Sequence, residues 1–187
     1  MPKISEIEPT PNPNAMKFIL KDPLTWGISR SYDNAGAAQD DALAAKLFDI
    51  EHVTNVFYVD HWITVTQDGG ADWQELMRQL AGPIREAPGA DAASEQYAEQ
   101  AATMDLSSLS DADKERLGKI NQILDDQIRP YLQGDGGDLH VVGLDGNKLM
   151  VHYQGACGSC PSSISGTLAG IEGLVRQIEP DMEVVAV

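Results

Sequence analysis

Residues 87–110, APGADAASEQYAEQAATMDLSSLS, divide the chain. The stretch holds seven alanines, four acidic residues and no basic residue. Large apolar side chains are sparse in it, so it has little to bury, and it reads as a flexible linker. A chain of 187 residues with such a break suits two small domains, 1–86 and 111–187. The expected class is α+β.

The first unit reads as α/β. MKFIL (16–20) is a short apolar strand. In DDALAAKLFDI (40–50), Leu43, Leu47 and Ile50 recur at helical spacing. VTNVFYV and WITVT, rich in β-branched and aromatic residues, flank Asp60-His61 and predict a hairpin. DWQELMRQLAGPI predicts a helix capped by Asp72, with Pro83 near its end. PNPN (11–14) reads as a turn or extended chain.

The second unit predicts the order α-β-β-α-β. Ser110 or Asp111 caps a helix whose buried stripe is Leu117, Ile120, Leu124 and Ile128. Pro130 and the glycines of 134–137 end it. LHVVGL and KLMVHYQ flank Asp145-Gly146-Asn147, a hairpin signal. Ile164, Leu168, Ile171, Val175 and Ile178 then form a helical stripe, Pro180 stops that helix, and EVVAV closes as a strand. The two halves share no internal repeat.

Composition narrows the function. The apolar fraction of 42% supports packed cores. The net charge of −16 is spread along the chain and repels phosphate backbones, so nucleic-acid binding is disfavoured. No run of 18 apolar residues offers a membrane span. The first residues, MPKISEIEPTPNPN, lack the order of a secretory signal and the Arg-rich character of a transit peptide. The expectation is a bacterial cytoplasmic protein, or an organelle-matrix protein in processed form.

Both cysteines of the chain, Cys157 and Cys160, lie in GACGSCP (155–161) between a strand and a helix. Pro161 suits the first helical position, which makes Cys160 the expected N-cap. Unpaired N–H groups and the positive end of the helix then face the sulfurs and favour thiolates. Gly155 and Gly158 let the backbone come close to something bulky. Three uses compete for such a pair. Structural zinc wants four ligands, iron–sulfur clusters are usually held by four thiolates, and a redox disulfide needs only the pair. A two-fold homodimer would complete a four-cysteine set.

Other sites are thin. His140 and His152, on the two hairpin arms, would lie opposite each other with a three-residue loop and on opposite faces with a two-residue loop. They read as half-exposed strand residues, and His52 and His61 as surface or hairpin residues. GDGGD (134–138) lacks the Lys-Ser/Thr of a phosphate loop, and Asp135 and Asp138 are too few for a calcium loop. It reads as a tight turn into a strand. No serine has a convincing His/Asp setting.

ILDDQIRPYLQGDGGDLHVVG followed by KLMVHYQGACGSCPSSISGTLAGIEGLV resembles the NifU-like domain of Nfu-type iron–sulfur cluster scaffold and carrier proteins. TPNPNAMKFI, AKLFDIEHVTNVFYVDHWITVT and the DW pair resemble the N-terminal domain that precedes it in such proteins. One local departure is His52, where the family often has glycine. The resemblance implies a [4Fe-4S] cluster bound by Cys157 and Cys160, shared between two subunits, and passed to apo iron–sulfur client proteins. It implies upstream assembly proteins as donors, a homodimer when loaded, a partner-recognition role for the first domain, and a binding protein rather than an enzyme. A thiol oxidoreductase, which needs Cys157 exposed for attack, and a zinc-stapled interaction domain are the other readings.

Overall fold

The structure, a computed structural model, describes residues 2–90, 110–158 and 161–187, without the side chains of 161–165. The chain divides into two compact units, with the division inside 91–109. Most of the linker expected over 87–110 therefore lies outside the described residues. Ala87 is 4% exposed and still packs into the first core.

The first unit runs β1 (Ile4–Pro9), β2 (Ala15–Leu20), β3 (Arg30–Tyr32), α1 (Ala42–Phe48), β4 (Val53–Val59), β5 (Trp62–Gln67) and α2 (Trp73–Glu86). Its strands form one antiparallel sheet in the order β1-β2-β5-β4-β3. Successive strand residues face opposite sides. Phe18, Val56, Ile63 and Val65 thus share a face with Leu43 and Leu47 of α1 and Leu76, Leu80 and Ile84 of α2. The expected hairpin is present, with Val59 opposite Trp62 and Asp60 at a φ of 47° in the turn. PNPN is a turn, as expected. The Asn12 carboxamide accepts from the Asn14 N–H (3.0 Å), and the Trp73 indole donates to the Pro13 carbonyl (3.1 Å).

Sequence reading missed β1 and β3. β1 is an edge strand with little buried surface, and β3 has three residues, so neither shows an apolar alternation.

One carboxylate organises this unit. Asp41 caps α1 by accepting from the Leu43 and Ala44 N–H groups through Oδ1. Its Oδ2 accepts from the Tyr58 and Tyr32 hydroxyls and from the Arg30 guanidinium, the latter two at 2.9 Å. β3, β4 and α1 are tied together by that one side chain.

His52, at the position where the resemblance leads one to expect glycine, has a φ of 75°, a left-handed conformation that glycine adopts without strain. Here the imidazole is held by Asp68, with Nδ1 3.1 Å from each carboxylate oxygen.

The second unit runs α3 (Asp111–Gln127), α4 (Arg129–Gly134), β6 (Gly137–Asp145), β7 (Lys148–Gly155), α5 (Pro161–Val175) and β8 (Glu183–Ala186). The sheet order is β6-β7-β8, with β7 and β8 parallel, so α5 is the crossover between them. Ser110 caps α3 by accepting from the Asp113 N–H (3.2 Å). Leu117, Ile120 and Leu124 are buried as expected, with Leu139, Leu149, Val151, Ile171 and Val175. The side chain of Ile164, expected in the stripe of α5, lies outside the described part.

Three details depart from the sequence reading. Pro130 does not simply end a helix; it sits in the first turn of the separate α4. α5 stops at Val175, and Ile178 is 39% exposed rather than part of the buried stripe. The β6–β7 turn has two residues, because Asp145 pairs with Lys148, yet His140 and His152 lie opposite each other. A bulge between Val141 and Gly143 shifts the register by one residue and accounts for this.

Candidate functional site

β6 and β7 end on the pair Gly137 and Gly155, and the cysteine loop leaves from that end of the sheet. Gly155 turns the chain with a φ of 65°, and Gly136 does so in the turn just before β6 with a φ of 81°. The Ala156 N–H donates to the Gly136 carbonyl and the Gly158 N–H to the Gly155 carbonyl, both at 3.1 Å. The loop is thereby folded back onto the hairpin. α5 opens at Pro161, as expected, so its N-terminus adjoins the loop. Cys160, expected as the cap of α5, lies outside the described residues.

Cys157 is only 3% exposed and belongs to the core of the second unit. Its neighbour across the hairpin is Gly137. A Cβ built there would lie 2.7 Å from the Cys157 Sγ and 2.6 Å from the Gln154 carbonyl oxygen. Glycine at this position is what leaves room for the sulfur. Sequence reading treated GDGGD as turn chemistry alone and missed this. Its two inner glycines divide the work: Gly136 supplies the positive φ, and Gly137 the close approach.

Tyr153 shares the core face with Cys157, and its hydroxyl is buried with no hydrogen-bond partner among the described residues. Burial, and then the nearby Cys157, push its phenol up to about 12. Asp138, also buried, is held at the start of β6. It accepts from Arg129 (3.2 Å) and Gln133 (3.3 Å) of α4 and from the Leu139 N–H (2.7 Å). Arg129 is paired in turn with Asp125 at 2.6 Å. This arrangement clamps α4 to the strand that carries Gly137.

Alternation puts His140 and His152 on the sheet face opposite Leu139 and Tyr153. The His152 Nδ1 lies 2.9 Å from the Val187 carbonyl oxygen. Burial, Arg129 and His152 hold His140 below the usual imidazole range, against the opposing pull of Asp138 and Gln154. Among the described residues no group of three or more His, Cys, Asp or Glu is placed to hold a metal ion.

Two compact units, the second carrying the cysteine loop between the end of its sheet and the start of α5, define a two-domain protein of mixed helix and sheet. The family described as Scaffold protein Nfu/NifU N terminal matches residues 4–89, and the NifU-like domain matches residues 120–186. The human mitochondrial NFU1 iron-sulfur cluster scaffold homolog is 33% identical over 181 residues, covering 95% of this chain and 69% of its own. The mitochondrial NifU-like protein 4 of Arabidopsis thaliana is 29% identical over 172 residues, covering 91% of this chain and 60% of its own. The crystal structure of protein SAV1430 from Staphylococcus aureus covers 44% of this chain and 98% of its own, at 27% identity and a TM-score of 0.39. The chain belongs to the Nfu family of two-domain scaffold proteins. It spans between 60% and 69% of the length of the two named curated relatives.

Proposed function

We infer that this chain is an iron–sulfur cluster scaffold and carrier that works by binding rather than catalysis. Cys157 and Cys160 supply two thiolates to a [4Fe-4S] cluster, a second copy supplies the other two, and the cluster passes to apo iron–sulfur proteins. The observation that carries this reading is the cysteine count. Two cysteines in the whole chain make half of a four-thiolate set. The relatives' names, which describe iron–sulfur cluster scaffolds, support the cargo, and their mitochondrial label supports the organelle-matrix alternative for the compartment.

The residues suit a cargo that must be released. The loaded site carries about two negative charges, and the N-terminus of α5, a helix of 15 residues, points a positive end toward it. Cys157 is packed against Gly137 in the form described, so loading turns its side chain outward from that contact. A client thiolate then enters an iron's coordination shell as a cysteine thiolate leaves. Charge and electrons balance without a redox partner.

The test is transfer. The anaerobically loaded protein, mixed with an apo-[4Fe-4S] enzyme, should restore that enzyme's activity faster than free iron and sulfide do. Equal rates would reject the carrier role. Zinc bound at about one per dimer, with no absorption near 400 nm after loading, would favour the zinc-stapled reading instead.

A further inference from the structure

The second unit has a groove of about 600 Å³ between the α3–α4 corner and α5. Ile128, Tyr131, Leu132 and Leu174 supply its apolar lining, and Asp126 and Asp135 its carboxylates. Tyr131 is 76% exposed, an unusual position for a large aromatic side chain.

Among the described residues nothing lies within 4 Å of a Cβ built on Gly170, which also lines the groove, and Gly166 and Gly173 of the same helix are equally open. Glycine inside a helix costs about 0.5–1 kcal/mol relative to alanine. What it gives is access: an incoming backbone can approach α5 more closely here than over any side chain.

Charge selects the occupant. The lining holds two carboxylates and no lysine or arginine. Asp126 and Asp135 join no ion pair among the described residues; the neighbouring Asp125 is the one that pairs with Arg129. The chain's own segment 87–110 carries four acidic and no basic residues, so the groove repels it. A second copy docked face to face would set Asp126 and Asp135 against themselves on a chain of net charge −16.

We propose that this groove docks a short basic segment of a partner protein, with a bulky apolar side chain seated beside Tyr131 and cations facing Asp126 and Asp135. The surface exists without cargo, so the proposal stands apart from the cluster reading.

The test uses the full apo chain, nitrogen-labelled, titrated with a short amphipathic Leu/Lys peptide and with a Lys/Ser peptide of equal charge. The Leu/Lys peptide should give saturable shifts at the amides of 126–135 and 167–174, and the Lys/Ser peptide should not. Gly170→Leu, which fills the groove, should weaken binding by about tenfold or more. Asp126→Asn with Asp135→Asn should weaken it and flatten its salt dependence. Tyr131→Ala, at an exposed position, repeats the test should Gly170→Leu perturb the fold. Equal binding of the two peptides, shifts confined to other surfaces, or unchanged affinity in Gly170→Leu and Tyr131→Ala would overturn the proposal. So would concentration-dependent shifts of the same amides without peptide, which would mark the groove as a contact between copies.

Discussion

Gly137 and Cys157, twenty positions apart, share one space: a Cβ on the glycine would lie 2.7 Å from the cysteine Sγ. The same Cβ would lie 2.6 Å from the Gln154 carbonyl oxygen, and a ladder carbonyl cannot step aside as a flexible side chain can. Gly137→Ala should therefore cost about 1–3 kcal/mol of stability in the second unit. It should also push Cys157 outward. Denaturant unfolding reads the first effect. Labelling of Cys157 by a thiol reagent, in a Cys160→Ser background, reads the second as a faster rate. An unchanged labelling rate would mean that Gly137 does not hold the sulfur in.

Cys157→Ala and Cys160→Ala should each abolish cluster binding while leaving the far-UV circular dichroism of the apo chain unchanged. The core of the second unit rests on other side chains, since Ile120, Leu124, Leu139 and Ile171 are each fully buried. Cys157→Ser should be less stable than Cys157→Ala, because it places a more polar side chain at a position only 3% exposed within the second core. Equal stabilities would indicate that the side chain at 157 faces water.

Asp41→Asn should destabilise the first unit by about 2–3 kcal/mol, since it weakens the bonds from Tyr58, Tyr32 and Arg30 while keeping an oxygen for the helix cap. Burial pushes the Asp41 carboxyl up, but the Ala44 N–H, the two tyrosine hydroxyls and Arg30 outweigh it and leave it below the usual carboxylate range. Its stabilisation is thus present above about pH 4 and lost as pH falls through the lowered folded value. Acid unfolding of Asp41→Asn should lack that loss.

His140 also makes stability fall on acidification, from a different cause. Burial holds its imidazole below the usual range, so the unfolded chain binds its proton first as pH falls. The second unit should lose stability below about pH 6.5, and His140→Gln should flatten that slope. Urea midpoints at neutral and mildly acidic pH measure it. A slope unchanged by the substitution would assign the effect to another group.

The sequence made the regular parts of this molecule legible for local reasons. The 53–67 hairpin, the caps at Asp72 and Ser110 and the helix opening at Pro161 all depend on residues within a few positions of each other. What escaped depends on distant partners or on weak local signals. β1 is an edge strand exposed along most of its length, and α4 hides behind a proline that sequence rules treat as a stop. The bulge at Val142 reversed what the hairpin loop alone implies about His140 and His152, and Gly143 beside it was its one local sign.

The candidate site divides in the same way. That Cys157 and Cys160 form a pair follows from their spacing. That Cys157 is buried does not, because the fit is made by Gly137 on the neighbouring strand. The burial of the Tyr153 hydroxyl and the Arg129–Asp138 clamp likewise arise across the fold, visible only once β6, β7 and α4 are assembled.

The measurement that bears most directly on the account is anaerobic loading with iron and sulfide, followed by native mass determination and metal counting. The account predicts a dimer carrying about four irons and four sulfides, dependent on both Cys157 and Cys160. A loaded monomer, or a dimer that keeps its cluster when both cysteines are replaced by alanine, would contradict it.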